Sequence, residues 1–319
     1  MSITLRSLLV TLTLGVLGTG VWAQASSQPS RVVIVSSDSA PAYTQTAEAL
    51  TDHLVRQGIA RTDIAQSLAA DLAVRLKSGQ PPRPTVYVAL GSEATQLLVA
   101  AGTQTPVLSA LIPRSSFERI VRSQGKTVSA RLSAIYLDQP LARQLALVRL
   151  ALPQVRRLGV LWGSESADRA TGLRPLVAAN GLDLQETMVT QPDDLPLALA
   201  QVLAGSDVLL ALADPAIYNS NTLQNILMSS FRARVPLVAF SPAYVRAGAV
   251  LALYTTPLQA GQQAAELVLG VLRGKPLPDH VLEPNDFEVG VNAQVAHVLD
   301  LTLDAQALRL ALRRLERLP

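Results

Sequence analysis

The chain contains no cysteine among its 319 residues. That absence excludes disulfide bonds, thiolate metal ligands and cysteine nucleophiles, and with them lipid anchoring through a cysteine. Histidine is almost as scarce. His53, His280 and His297 lie too far apart in sequence for a metal-binding motif. We therefore predict no metal site and no cofactor.

Lysine and aromatic residues are also rare. The lysines are Lys77, Lys126 and Lys275, aromatics make up 4% of the chain, and the formal net charge is +3. The arginines are scattered, so no concentrated basic stripe exists for nucleic acid, and we predict no such partner. Abundant leucine and alanine with few aromatics indicate helices packed on sheets.

The motifs of common catalytic sites are missing as well. Gly91-Ser92-Glu93 lacks the glycine pattern of a G-x-S-x-G elbow. The stretch from Gly270 to Pro276 has the wrong spacing for a phosphate loop, and we interpret it as a helix end capped by Gly274. The lack of a catalytic constellation favours a binding protein over an enzyme.

The first 25 residues have the pattern of a secretory signal peptide. Arg6 precedes an apolar run from Leu8 to Leu17, and Ala23-Gln24-Ala25 supplies a cleavage signal. The alternative is a transmembrane anchor, but the run falls short of the roughly 20 apolar residues that span a bilayer. We predict cleavage after Ala25 and a soluble, monomeric product in the periplasm without a lipid anchor.

Short apolar runs alternate with helical stretches along the rest of the chain. We predict strands at 31–35, 85–90, 106–109, 158–162, 182–188, 207–212, 236–240 and 250–254. Continuous Val- and Leu-rich strands joined by helices are typical of parallel sheets covered on both faces. The predicted fold class is therefore α/β, with Rossmann-like units.

The same order of segments occurs twice. In the first pair, the first half has RVVIVSSDSAPAYTQTAEALTDHLVRQG from Arg31, and the second half has RLGVLWGSESADRATGLRPLVAANG from Arg157. In the second pair, VYVALGSEATQLL of the first half corresponds to VLLALADPAIYNSN of the second half. In each half a strand ends in a small polar turn and a helix follows, so we infer two similar lobes. Ligands of open α/β sheets bind at the carboxyl ends of the strands, which predicts a cleft between the lobes.

Polar and aromatic residues that follow the predicted strands are the candidates for ligand contact. The backbone N–H groups at the start of a helix favour anionic ligands, and aromatic rings stack on flat ligands. The predicted ligand-binding residues are Ser36, Ser37, Tyr43, Ser92, Ser109, Trp162, Ser164, Asp214, Tyr218 and Ser241. The alternative is helix capping for the serines and Asp214, and core packing for the rings. Trp162 is the preferred aromatic contact.

Three segments in the second half resemble a known family. They are GVLWGSES, the stretch from Val235 to Asp279, and the closing DFEVGVNAQVAHVLDL. They look like the substrate-binding components of ABC transporters, within the group related to aromatic amino-acid binders. This resemblance implies the type I periplasmic-binding fold, with three hinge crossings and closure around a small polar or amino-acid-like ligand. The implied partner is a membrane permease; the alternative is a membrane receptor or sensor.

The resemblance also implies a division of the chain and a role for one acidic residue. We expect one lobe from 31–137 plus 250–285, and a second from 138–249 plus 286–319. Asp214 matches the acidic position of the family, which implies that it holds a ligand ammonium, with Ser92 on a carboxylate. The chain departs from the family pattern at Leu111–Ser115 and Leu132–Tyr136, which are cleft positions, so the resemblance does not fix the ligand.

Overall fold

The computed structural model describes residues 31–316 as two α/β lobes, each built on one sheet. The predicted signal peptide lies outside the described residues. The strands are β1 Val32–Ser36, β2 Ile64–Leu68, β3 Val86–Leu90, β4 Val107–Ile112, β5 Leu132–Tyr136, β6 Arg157–Trp162, β7 Asp183–Met188, β8 Val208–Leu210, β9 Leu237–Ala239, β10 Leu251–Tyr254 and β11 Glu288–Val291. The helices are α1 Pro41–Arg56, α2 Ala69–Lys77, α3 Ser92–Ala100, α4 Arg114–Ser123, α5 Leu141–Ala151, α6 Ala170–Ala179, α7 Leu195–Gly205, α8 Leu223–Arg232, α9 Pro242–Ala247, α10 Pro257–Leu272, α11 Ala293–Val298 and α12 Ala305–Leu315.

The first lobe contains a five-stranded parallel sheet in the order β2-β1-β3-β4-β5. Strand β3 is buried along its whole length, as an apolar run in the middle of a parallel sheet should be. One face of the sheet packs against α1 and α10, and the other against α2, α3 and α4. Both faces are therefore covered by helices.

The second lobe contains a six-stranded sheet in the order β11-β10-β9-β8-β6-β7. Strand β11 runs antiparallel to β10, and the other neighbours are parallel. One face carries α5, α6 and α12, and the other carries α7, α8 and α9. The predicted fold class, two α/β lobes on parallel sheets, is confirmed; the antiparallel edge strand is an addition to it.

The chain passes between the lobes three times. It leaves the first sheet after β5, leaves the second sheet after β10, and returns to the second sheet at β11. Between the last two crossings, α10 packs on α1, and the Leu282 N–H donates to the Ala134 carbonyl at 2.8 Å. The three predicted hinge crossings are thus present.

The position of the second crossing corrects the predicted boundary at residue 250. Strand β10 pairs in parallel with β9 and antiparallel with β11, so Leu251–Tyr254 belongs to the second sheet. The crossing follows at 255–256. The apolar run 250–254 predicts a strand, but it carries no signal for the sheet that the strand joins.

Two local features complete the fold. The helix end predicted at Gly274 is confirmed, because α10 stops at Leu272 and Gly274 takes a left-handed φ of 85°. Among residues 31–316, none of the helices combines the length and the apolar character needed to cross a bilayer.

Candidate functional site

A cavity of about 300 Å³ lies between the two lobes and the hinge. The first lobe contributes Ala42, Leu111, Pro113 and Leu137; the second contributes Ala213, Phe240, Ser241, Pro242 and Tyr254; the hinge contributes Asp138, Thr255 and Pro257. Most of these residues follow the carboxyl ends of β4, β5, β8, β9 and β10. The predicted position of the cleft therefore matches the position of the cavity.

The walls of the cavity are mainly apolar. Leu111 and Leu137 face it from the first lobe, and the rings of Phe240 and Tyr254 face it from the second. Polar side chains are few, and Ser241 and Thr255 supply hydroxyl groups. Such a lining suits a ligand with an apolar body and a small number of polar groups.

Leu111 reaches the cavity from a distorted part of β4. The pairing of β4 with β5 shifts register between Ser109 and Ile112, and Leu111 takes a φ of 51° within that shift. A left-handed backbone costs a leucine roughly 1–2 kcal/mol. Strained residues of this kind are concentrated at functional sites, because the surrounding structure must hold them in place.

Phe240 is fixed by two tyrosines of the second lobe. Its ring lies 4.8 Å from that of Tyr244 and 6.0 Å from that of Tyr218, the latter edge-on at 80°. Burial raises the pKa of Tyr244 to about 12 and raises the pKa of Tyr218 further, so both hydroxyls are neutral. These contacts hold Phe240 in position as one wall of the cavity.

Ser241 is the predicted ligand-binding residue that lies on the cavity. Four other predicted residues lie at the carboxyl edge of the first sheet but do not line the cavity. They are Ser36, Ser37, Tyr43 and Ser92. The Ser37 hydroxyl donates to the Leu90 carbonyl at 2.8 Å and accepts from the Ala94 N–H at 3.1 Å. The bond to Ala94 anchors the start of α3 from the neighbouring strand, although Ser37 is not the N-cap residue of that helix or of α1.

Tyr43 lies beside Ser37, over Gly91. A side-chain carbon added at Gly91 would lie 2.6 Å from both the Ser37 and Tyr43 hydroxyl oxygens, and Gly91 has a φ of 88°. The close packing leaves this corner of the first lobe filled by its own side chains. Burial raises the pKa of Tyr43, so its hydroxyl is neutral.

Ser109 and Trp162 do not reach the cavity. Ser109 is fully buried in the middle of the first sheet, between Ala89 and Ala134. Trp162 is 3% exposed, and its indole N–H donates to Glu186 at 2.6 Å. The core-packing alternative describes Trp162 better than ligand contact, because its ring belongs to the buried cluster that also contains residues of α5 and α6.

The remaining three predicted residues also lie away from the cavity. Tyr218 is buried behind Phe240, and Ser164 is exposed on the turn after β6. Asp214 is 1% exposed, and its carboxylate accepts from the Ser166 hydroxyl at 2.7 Å and from the Glu165 and Ala216 N–H groups. With protein donors on both oxygens, Asp214 is not placed to hold a ligand ammonium.

Gln139 joins the three hinge crossings. Its Nε2 donates to the Thr255 hydroxyl at 2.6 Å and to the Asp286 carbonyl at 3.4 Å, while its Oε1 accepts from Arg143 at 2.7 Å. Gln139 is 3% exposed, so these hydrogen bonds are shielded from water. The sequence offers no signal for this role, since a glutamine beside a proline looks like an ordinary loop residue.

A buried ion pair lies next to this glutamine. Arg169 and Asp138 are 3.0 Å apart, and their side chains are 6% and 8% exposed. The second oxygen of Asp138 accepts from the Arg114 N–H at 2.8 Å, at the start of α4. Burial lowers the pKa of Arg169, and the neighbouring Asp138 opposes that shift.

The described part of the chain brings together no group of three His, Asp or Glu side chains that could hold a metal ion. The geometry is that of a two-lobed binding protein with an apolar cavity at its hinge.

Comparison with known proteins identifies the family. The sequence profile described as ABC transporter substrate binding protein matches residues 32–314, so the chain belongs to that family. The family is one of solute-binding proteins and not of enzymes. The resemblance found in the sequence is thereby confirmed.

Individual relatives are distant. A tyrosine-binding protein of Clostridioides difficile (strain R20291) is 20% identical over 220 residues, 67% of this chain; the chain spans 62% of that relative's length. A ligand-free, open substrate-binding protein with adhesive properties from Clostridium difficile has a TM-score of 0.68 at 16% identity, covering 86% of this chain and 96% of that one. An ABC domain in complex with L-Trp from Streptococcus pneumonia has a TM-score of 0.59 at 16% identity, covering 87% and 97%. The two structures show the same fold.

Proposed function

We propose that this protein captures a small ligand with an apolar, ring-bearing body between its lobes, outside the cytoplasm, and delivers it to an ABC permease. The observation that carries the proposal is the apolar cavity of about 300 Å³ formed jointly by both lobes and the hinge. Its volume lies at the lower end of the range for ligand pockets, about 300–1,000 Å³. A ligand there touches both lobes, so binding favours their closure.

The polar end of the ligand is best matched by a carboxylate. The first turn of α1 reaches the cavity at Ala42, and no side chain caps the N-terminus of that helix. Pro41 carries no N–H, and the Tyr43 and Thr44 N–H groups donate to the Ala40 carbonyl. The Ala42 N–H and the helix dipole are therefore what favour an anion at this position. The ligands named for two relatives, tyrosine and L-Trp, also combine an aromatic ring with a carboxylate.

The cavity offers less to an ammonium group. The acidic residue that lines the cavity is Asp138. One carboxylate oxygen of Asp138 pairs with Arg169, and the other accepts from the backbone N–H of Arg114. We therefore expect aromatic carboxylic acids without an amino group to bind at least as well as the corresponding amino acids.

A thermal-shift screen of the chain from residue 26 onward tests this proposal. The panel contains L-tryptophan, L-tyrosine, their deaminated analogues, L-serine, L-glutamate and D-glucose. We expect the aromatic acids to raise Tm, because a ligand at 100 times its Kd stabilises the folded state by about 2.7 kcal/mol. A shift with only the polar compounds, or with none of the panel from demonstrably folded protein, would contradict the proposal.

A further inference from the structure

Two ion pairs join one lobe to the other. Arg119 Nε lies 3.2 Å from Glu165 Oε1, and the Arg114 guanidinium lies 3.1 Å from Asp168 Oδ2. Both arginines are on α4 of the first lobe. Both acidic residues follow β6 in the second lobe, within residues 163–169, which we name the latch segment.

Asp214 stabilises the conformation of the latch segment through direct hydrogen bonds. Asp214 Oδ2 accepts from the Ser166 hydroxyl at 2.7 Å and from the Glu165 N–H at 3.1 Å. The Ser166 hydroxyl oxygen in turn accepts from the Gly163 N–H at 3.0 Å. Asp214 therefore fixes the backbone from which Glu165 reaches across to the first lobe.

The fit between Asp214 and the latch segment is tight. A Cβ added to Gly163 would lie 2.7 Å from Asp214 Cγ, well inside van der Waals contact. Asp214 is 1% exposed and Ser166 is fully buried, so water does not replace these hydrogen bonds. An unpaired buried donor is costly, which makes one arrangement of the segment strongly preferred.

We propose that residues 163–169 are a latch that holds the two lobes together and that Asp214 is its positioning residue. The proposal rests on the proposed closure around a ligand, yet the latch acts on the lobes with or without one. Asp214 then influences ligand affinity by presenting Glu165 to Arg119 on α4, and it does not touch the ligand.

The distance between the lobes in the absence of ligand tests the latch. Because the chain has no cysteine, Ser39→Cys and Ser220→Cys allow one exposed spin label on each lobe. We expect Arg119→Glu to raise the ratio of open to closed lobes about two- to fivefold, the effect of one exposed ion pair. Glu165→Arg should do the same, and the two changes together should restore the original distances.

Asp214→Asn tests the positioning role in the same labelled protein. We expect it to open the lobes as Arg119→Glu does, and to add nothing when combined with Arg119→Glu, because both remove the same contact. Ser166→Ala, which removes the two hydrogen bonds of the Ser166 hydroxyl but keeps the Asp214 carboxylate and its bond to the Glu165 N–H, provides a second variant if Asp214→Asn does not fold.

Each result decides one part of the proposal. Unchanged distances in both charge reversals, or a charge swap that fails to restore them, would overturn the latch. Additive opening by Asp214→Asn and Arg119→Glu would overturn the positioning role. Since no ligand is present, these results are independent of the thermal-shift panel, whose failure would overturn the proposed function alone.

Discussion

Gly261→Ala is expected to lower the free energy of unfolding of the first lobe by about 3 kcal/mol. Gly261 lies in α10 on the face that packs against α1. A Cβ added there would lie 2.6 Å from the Thr46 carbonyl oxygen, 2.8 Å from Ala49 Cβ and 3.0 Å from the Leu50 nitrogen. Two of these atoms belong to the backbone of α1 and cannot rotate away, so the helices must separate.

The same substitution on the same helix provides the control. Gly270 is also in α10, and the nearest atom to an added Cβ is Lys275 Cβ at 3.9 Å. Gly270→Ala should stabilise by roughly 0.5–1 kcal/mol, because alanine loses less backbone entropy than glycine in a helix. Urea unfolding followed by circular dichroism measures both changes. Equal effects of the two substitutions would contradict the close crossing of α1 and α10.

Phe287→Ala is expected to destabilise the second lobe by about 3–5 kcal/mol. Phe287 is 1% exposed at the third hinge crossing, in the core beside α5 and α12. The guanidinium carbons of Arg143 and Arg313 lie 4.8 Å and 5.6 Å from its ring centroid. Removal of the ring leaves a cavity and also ends two cation–π contacts.

Phe231→Ala is the matched control, since Phe231 is 40% exposed on α8. We expect its effect to stay within about 0.5 kcal/mol. Thermal unfolding followed by calorimetry compares the two variants. A loss for Phe287→Ala as small as that for Phe231→Ala would show that the ring at the hinge crossing does not act as a core residue.

The fold was largely predictable because its central strands are long apolar runs. VYVAL in β3 and the run RLGVLW in β6 predict buried parallel strands and form them. Strand β2, IAQSL, escaped prediction because it is an edge strand in which Gln66 and Leu68 are exposed, so no apolar run or clear alternation appears. Its pairing with β1 supplies the stabilisation that its sequence does not indicate.

The strand ends predict where the cavity lies but not which residues form it. The sequence favours polar residues after the strands as ligand contacts, but most of them bond to the protein itself: Ser37 anchors α3, and Asp214 holds Glu165 and Ser166. The cavity is instead formed by residues such as Ala42 and Ala213. Small apolar side chains carry no chemical signature in a sequence, and only the arrangement of the lobes brings them together.

Calorimetric titration of the most stabilising aromatic acid into two α1 variants tests the central claim, that the ligand occupies the cavity between the lobes. Ala42 lines the cavity, whereas Thr44 is exposed on the same helix outside it. We predict that Ala42→Phe weakens binding by about 100-fold or more, since its ring fills ligand space, and that Thr44→Phe leaves Kd unchanged. Undiminished affinity in Ala42→Phe would contradict the claim.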